Sequence, residues 1–365
     1  MATIVIKKIG SQVGDDYSTL TAWVADRITS KNLVTLDTIE IAEVRGETFT
    51  TTAVNIANFT NTTTTDATHY IEIRPMSTAT WFKGDFGNLT GVPVFTSTGM
   101  AFTSGLISCY IDNVFIKGIV IKDLVTPASA SLYAFDFSCL TAHKSQIINC
   151  GIMHLKTTSA SGAITVCGFY NGGYADFINC FSNDLYAKST ISNKAVNCWA
   201  FDGDYQLVNK GHCYNCVSIN NTSEEASPGT NGDCLVYGFV NLTDCKNCIG
   251  GLNTKVSPAT GLIDAFRGLT ITNQSNNLSD DATATGLTNK AISNQILNVS
   301  LANADCHLKA GADAIQAGTD LSASFLRDIN GRLRVAPWDI GADGSLRMKE
   351  LVKSGTTIKS GTSLK

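Results

Sequence analysis

Two Cys-x-x-Cys motifs, Cys213-Tyr-Asn-Cys216 and Cys245-Lys-Asn-Cys248, are the residues whose type and spacing most directly suggest chemistry. Four thiolates in two such pairs can hold a structural zinc ion in a tetrahedron. The usual gap between the pairs is about 15–20 residues; here it is longer, and neighbouring cysteines argue for another role. Acid pairs come next. Cutting a glycosidic bond takes two carboxyl groups, about 5 Å apart for retention or about 6.5–9.5 Å apart for inversion. Asp202 and Asp204 in Phe-Asp-Gly-Asp-Tyr are the candidates, with Asp233 further along. Aspartate beside glycine more commonly makes a turn, because its side chain bonds its own backbone, so a turn is the plainer expectation. His69, His143, His154, His212 and His307 show no metal-ligand spacing. No nucleophile elbow, phosphate-binding loop or dinucleotide fingerprint occurs, so no cofactor or metal is expected. Tyr170, Tyr174, Tyr205 and Tyr237 are expected in loops, where a ring can stack on a sugar.

The elements that would position these groups are strands. Charged residues make up only 16% of the chain against 44% hydrophobic, which suits short strands and tight turns rather than helices with Glu/Lys faces. Val34 to Val44 and Tyr70-Ile-Glu-Ile-Arg alternate as strands do. One helix is expected, Ser18 to Ile28, with Leu20, Trp23, Val24 and Ile28 on one face and Ser18 as its cap. The net charge of −4 supplies no basic stripe for nucleic acid. No run approaches the ~20 apolar residues of a membrane span, and nothing after Met1 has the form of a signal peptide.

The middle of the chain repeats. Asn-Cys recurs at Asn149-Cys150, Asn179-Cys180, Asn197-Cys198, Asn215-Cys216 and Asn247-Cys248, at intervals of 30, 18, 18 and 32 residues. Asn276-Asn277 continues the series, and Lys117-Gly118 begins it. Repeats of this length mark a solenoid, and strands stacked ~4.8 Å apart put equal positions in columns. A column of cysteines inside and a ladder of asparagine amides along the stack follow. This ladder explains five cysteines where zinc explains four. Free buried thiols are expected, since disulfides need an oxidising setting. Period two carried through the pairs puts Ile148, Cys150 and Ile152 on one face, then Val196, Cys198 and Ala200, then Tyr214, Cys216 and Ser218. Lys246 falls on the same inward parity, for which the pattern gives no account. Two intervals of 18 also suit a left-handed β-helix, but its hexapeptide pattern is missing.

These repeats resemble those of right-handed parallel β-helix proteins, the pectate-lyase-like superfamily. Asp305-Cys-His-Leu-Lys-Ala-Gly-Ala-Asp-Ala-Ile-Gln-Ala-Gly resembles a closing segment of such proteins. Asp328-Ile-Asn-Gly-Arg, with Asp339-Ile-Gly-Ala-Asp343, resembles their ending, and Asp16-Tyr-Ser-Thr-Leu-Thr-Ala-Trp resembles the helix that plugs the first coil. The resemblance implies an all-β right-handed parallel β-helix solenoid with an N-terminal capping helix. Its expected parts are a strand and capping helix over 1–38, the β-helix over 39–300, a closing segment over 301–345 and a polar tail over 346–365. The polygalacturonase motifs and an acid cluster like the calcium site of pectate lyases are absent.

The fold hosts lyases, hydrolases, adhesins and phage spikes, so it leaves activity open. The expectation leans away from an enzyme, to a virion structural protein such as a head decoration, fibre or tailspike-like adhesin. A polysaccharide-degrading lyase or glycoside hydrolase is the alternative. Partners expected are a second and third copy in a trimer, other virion proteins and a cell-surface polysaccharide. The expected location is the particle surface, or else the extracellular space.

Overall fold

The computed structural model describes residues 2–51, 53–57, 63–97, 105–126, 132–139, 144–157, 166–171, 175–190, 194–205, 211–223, 236–240, 242–255, 263–267, 274–300 and 305–344. Its organising feature is a column of bends. Asn149, Asn179, Asn197, Asn215, Asn247 and Asn276 have φ between 51° and 57°, and Gly118 holds the same place one coil earlier with φ 65°. Glycine and asparagine tolerate this left-handed backbone best. Each bend ends one strand and starts another. Gln146–Ile148 precedes Asn149 and Gly151–Thr157 follows it; Asp176–Ile178 precedes Asn179 and Phe181–Thr190 follows it. The strands before the bends form a ten-stranded sheet, and those after it belong to a fourteen-stranded one. That second sheet also takes in Val54–Ala57, Gly105–Cys109, Leu132–Phe137 and Val166–Asn171, a third stack. The chain is thus a parallel β-helix, right-handed as parallel crossovers are.

The bends reset the alternation that period two would carry straight through. Before the bend Ile147, Phe177, Ala195, Cys213 and Cys245 lie in register and face the core. Just past it Cys150, Cys180, Cys198, Cys216 and Cys248 face the core again. Residues at −1 from the asparagine therefore point outward. Ile148, Val196, Tyr214 and Lys246, which unbroken alternation puts inside, stand on the outer face. The misfit of Lys246 disappears: Cys245 is the inward residue of that strand, and it is fully buried.

At the N-terminus Thr3–Ile9 pairs in parallel with Thr38–Val44 as the outermost strand of the ten-stranded sheet. Between them lies the plug, shorter than expected. An α-turn, Leu20–Trp23, runs into a π-helical turn, Val24–Ile28, and the cap is Thr19, not Ser18: Thr19 Oγ1 accepts from Ala22 N at 3.1 Å. Leu20, Trp23, Val24 and Ile28 are buried in the core. The strand expected from Val34 starts only at Thr38, because Asn32 caps a second helical turn, Leu33–Leu36. No helix among the described residues is long and apolar enough to cross a membrane.

The C-terminal segment runs along the flank of the solenoid as a strap. Val120, Phe181, Trp199, Val217, Ile249 and Leu278 point outward from the second sheet and form a second apolar core with Cys306, Ala314, Ile329 and Ile340 of the strap. Phe82 and Val92 cover the same face from an earlier loop. The strap is fastened to the asparagine column. Asn276 Nδ2 donates to Ala317 O at 2.7 Å, and Asn247 and Thr319 exchange bonds of 2.8 and 2.7 Å. Asn197 Nδ2 donates to Arg327 O at 2.8 Å, and its Oδ1 accepts from Arg334 at 3.2 Å. The buried Arg334 guanidinium also donates to the carbonyls of Gly341, Ala342 and Asp343. Burial pulls it down to about 10, which leaves it charged at neutral pH. The polar tail lies outside the described residues.

Candidate functional site

The outer face of the ten-stranded sheet is polar where the strap leaves it open. Three neighbouring strands supply it: Lys194–Val196, His212–Tyr214 and Asp244–Lys246. Register stacks Lys194, His212 and Asp244 in one outward column, and Val196, Tyr214 and Lys246 in the other. Tyr214 Oη donates to Asp244 Oδ2 at 2.7 Å, and Lys246 Nζ lies 3.2 Å from both oxygens of that carboxylate. Lys194 and Lys246 place their amines 5.8 and 6.0 Å from the Tyr214 ring centre, within cation–π range. His212 Nδ1 is 3.9 Å from Asp244 Oδ2 and has no hydrogen-bond partner among the described residues. Phe325 of the strap stacks beside Tyr214, 6.5 Å between centroids and 18° apart in plane, and Trp338 backs Phe325 at 5.2 Å. Burial, and then the Asp244 carboxylate, push the Tyr214 phenol well above its ordinary value. It is therefore a permanent donor at neutral pH, aimed at a carboxylate, with two amines nearby. Such a set bonds hydroxyl groups and stacks on an apolar ring face.

Sequence reasoning missed this site because it placed Tyr214 and Lys246 inside. The signal that would have found them is the asparagine itself, read as a left-handed bend rather than as a strand residue.

The expected acids stand elsewhere. Asp202 and Asp204 are not in a turn; both lie in the strand Trp199–Tyr205, and their side chains fall outside the described part. Asp233 lies outside the described residues. Asp202 stands five residues beyond Asn197, the offset at which other coils bend a second time. Asp123, His154, Asn220 and Leu252 have φ of 54°, 53°, 63° and 54°, each five residues beyond Gly118, Asn149, Asn215 and Asn247. Asp184 and Asp202 fall at the same offset from Asn179 and Asn197. Pairing of Asn183 with Phe201 and of Leu185 with Gly203 sets Asp184 and Asp202 side by side on adjacent coils. One coil below Asp184, His154 Nδ1 lies 2.9 Å from Asp123 Oδ1. The acid that shares a column with Asp202 is therefore Asp184, not Asp204.

In the asparagine column Asn179 Nδ2 donates to Asn149 Oδ1 at 3.0 Å and Asn197 Nδ2 to Asn179 Oδ1 at 3.1 Å. From Asn197 onward the amides turn to the strap; Asn215 faces the Arg334 guanidinium. The ten cysteines whose side chains are described are buried and free. Cys213 and Cys245 share the inward column of the first sheet, beside Cys216 and Cys248 at the bend. Burial pushes the thiols of Cys150, Cys180, Cys198, Cys213 and Cys248 up, which opposes the thiolate that a metal would need. No group of three potential ligands with metal-binding geometry occurs among the described residues. Of the tyrosines expected in loops, Tyr170, Tyr205 and Tyr237 lie in strands, and Tyr174 lies outside the described residues. His143 lies outside them too.

No protein family matches the chain by sequence, and no curated protein does. Two solved structures are similar to it over nearly its full length. One is the crystal structure of pectate lyase Pel9A, 14% identical, with 93% of this chain and 97% of that one covered and a TM-score of 0.46. The other is a rhamnogalacturonan lyase, 11% identical, with 95% and 98% covered and a TM-score of 0.37. Likeness of that degree carries no argument about activity.

Proposed function

We propose that the chain is a rigid surface scaffold that engages a polysaccharide through the open face around Tyr214. The observation behind this reading is the grouping on three adjacent strands: a phenol ring flanked by two amines and a carboxylate, with Phe325 beside it. Sugar rings offer apolar C–H faces for stacking and hydroxyls for charged groups, and a pleated sheet holds both at fixed spacing. The particle-surface setting, with an extracellular one as its alternative, and the trimeric assembly are carried into the proposal from composition and resemblance. So are other virion proteins as partners. A stack whose backbone bonds are internal suits such exposed service.

The test is binding of the purified chain to a panel of bacterial surface polysaccharides. Tyr214→Phe should weaken binding several-fold while shifting thermal unfolding only slightly, since the ring and its packing on Phe325 are kept and only the hydroxyl bonded to Asp244 is removed. Equal binding by both proteins would remove the site from the proposal. Purified source particles should contain the chain in stoichiometric amount, and its absence there would remove the virion part.

A second reading, a polysaccharide lyase or glycoside hydrolase, is favoured by the protonated Tyr214 beside Asp244 and by the shared column of Asp184 and Asp202. Release of reducing or unsaturated ends from a polysaccharide would establish it. Loss of release in Asp244→Asn would assign it to the open face; loss in Asp202→Asn would assign it to the column of Asp184 and Asp202.

A further inference from the structure

We infer that His307 is a pH-sensitive latch that holds the C-terminal strap, and with it the Phe325 wall of the Tyr214 face, against the solenoid. Three passes of the strap meet at this imidazole. From its own strand, Asp305 Oδ1 lies 2.5 Å from Nδ1. From the 328–332 turn, Asn330 Oδ1 lies 3.2 Å from Nε2. From the last pass, Asp343 accepts from Asn330 Nδ2 at 3.0 Å and from Leu308 N at 3.3 Å. Arg332 bridges Asp328 and Asp343 beside it. The solenoid side contributes Trp199, whose ring meets the imidazole edge-on at 5.2 Å.

The chemistry of the ring makes this arrangement depend on one proton. A charged imidazole donates from both nitrogens, to Asp305 and to Asn330 Oδ1, which leaves Asn330 Nδ2 for Asp343. A neutral ring that keeps its proton on Nδ1 turns Nε2 into an acceptor. It can then only accept from the second hydrogen of Asn330 Nδ2, 3.0 Å away, so the bond donated to Asn330 Oδ1 is lost and Asp305 and Asp343 lose the positive charge that held the three passes together. Burial alone would lower the imidazole; the Asp305 bond, the Asp343 charge and Asn330 outweigh it, and the net shift is upward. A raised value in the folded state gives stabilisation that is complete below the ordinary imidazole range and is lost as pH climbs through the folded value. Burial also pushes Asp343 up, favouring its neutral form, so its contribution falls in the same direction. Asp305 is lowered by the same His307 bond, a contribution lost only in acid, as pH falls through its folded value. The strap is tightest in mildly acidic solution and loosens on the alkaline side.

The consequence for Phe325 rests on the glycan-engaging reading; the latch does not, and amide exchange reports it with no glycan present. Exchange of the full chain is followed from about pH 6 to about pH 9, corrected for intrinsic chemistry. Strap peptides within 305–342 should lose protection several-fold while the ten-stranded sheet keeps its own. His307→Gln should flatten that response. An unchanged pH response in the variant, or a flat one in the wild type, overturns the latch. Should His307→Gln not fold, the His307 ring signal is titrated in the wild type by nuclear magnetic resonance. A ring that titrates without moving the strap amides then overturns it as well. A working latch with pH-independent glycan binding would sink only the link to Phe325.

Discussion

The two stacks that meet at the asparagine bends share one core and differ in their outer faces. Past the bend, Phe181, Trp199, Val217, Ile249 and Leu278 form one outward column, and the strap together with Phe82 of the earlier loop buries all of it. Before the bend, the columns of the same coils carry Lys194, His212 and Asp244, and Val196, Tyr214 and Lys246, of which Val196 is itself covered. An apolar column of that length cannot stay in water and calls for a cover, whereas the polar one can remain wet. Stacking constrains the inside of both sheets alike, so individuality is left to the outside. One outer face spends it on holding the strap and the other on presenting groups to solvent.

The contrast can be broken by substitution, and the largest effect belongs to the covered face. Trp199→Ala should cost about 3–5 kcal/mol in chemical unfolding, since a large ring between strap and sheet leaves a void. Next comes the fastening. Arg334→Met should cost roughly 2–3 kcal/mol, because backbone carbonyls and the Asn197 amide lose a charged donor with no water to replace it. At the bend, Asn215→Ala should cost about 1–2 kcal/mol from the left-handed backbone alone, and Asn215→Gly should cost less. On the open face, Tyr214→Phe should stay within about 1 kcal/mol, yet reduce glycan binding. Should Tyr214→Phe unfold the chain as readily as Trp199→Ala, the two faces would not be divided between holding and presenting.

Much of the fold was legible in the sequence, because a solenoid writes its coil into the chain once per turn. The Asn-Cys pairs located the stack, and the buried cysteine column followed from them. The plug was legible from Leu20, Trp23, Val24 and Ile28, although its cap is Thr19. What stayed hidden was direction. Alternation through Asn149 or Asn247 looks unbroken on paper, and only a positive φ turns the preceding residue outward. That single backbone fact moved Tyr214 and Lys246 from the core to the surface. The strap was hidden for a different reason. Its path depends on contacts such as Asn247 with Thr319, which are 72 residues apart, and no local pattern encodes such a distance. Asp202 was singled out as chemistry-bearing, but its column neighbour Asp184 is visible only once the register of adjacent coils is known.

Wherever a second bend is formed, at Asp123, His154, Asn220 and Leu252, it comes five residues after the first, while the asparagines themselves recur at intervals from 18 to 32. In those coils the variation in length falls on the rest of the circuit, between the second bend and the next asparagine. The molecule has one inelastic side and one elastic side. A single residue inserted between Asn215 and Val217 would invert the facing of Val217 and Ser218 against their partners on the two adjacent coils. The same residue added on the elastic side would leave both columns in register. Novelty can accumulate along that one seam of the rod without the stack having to be rebuilt.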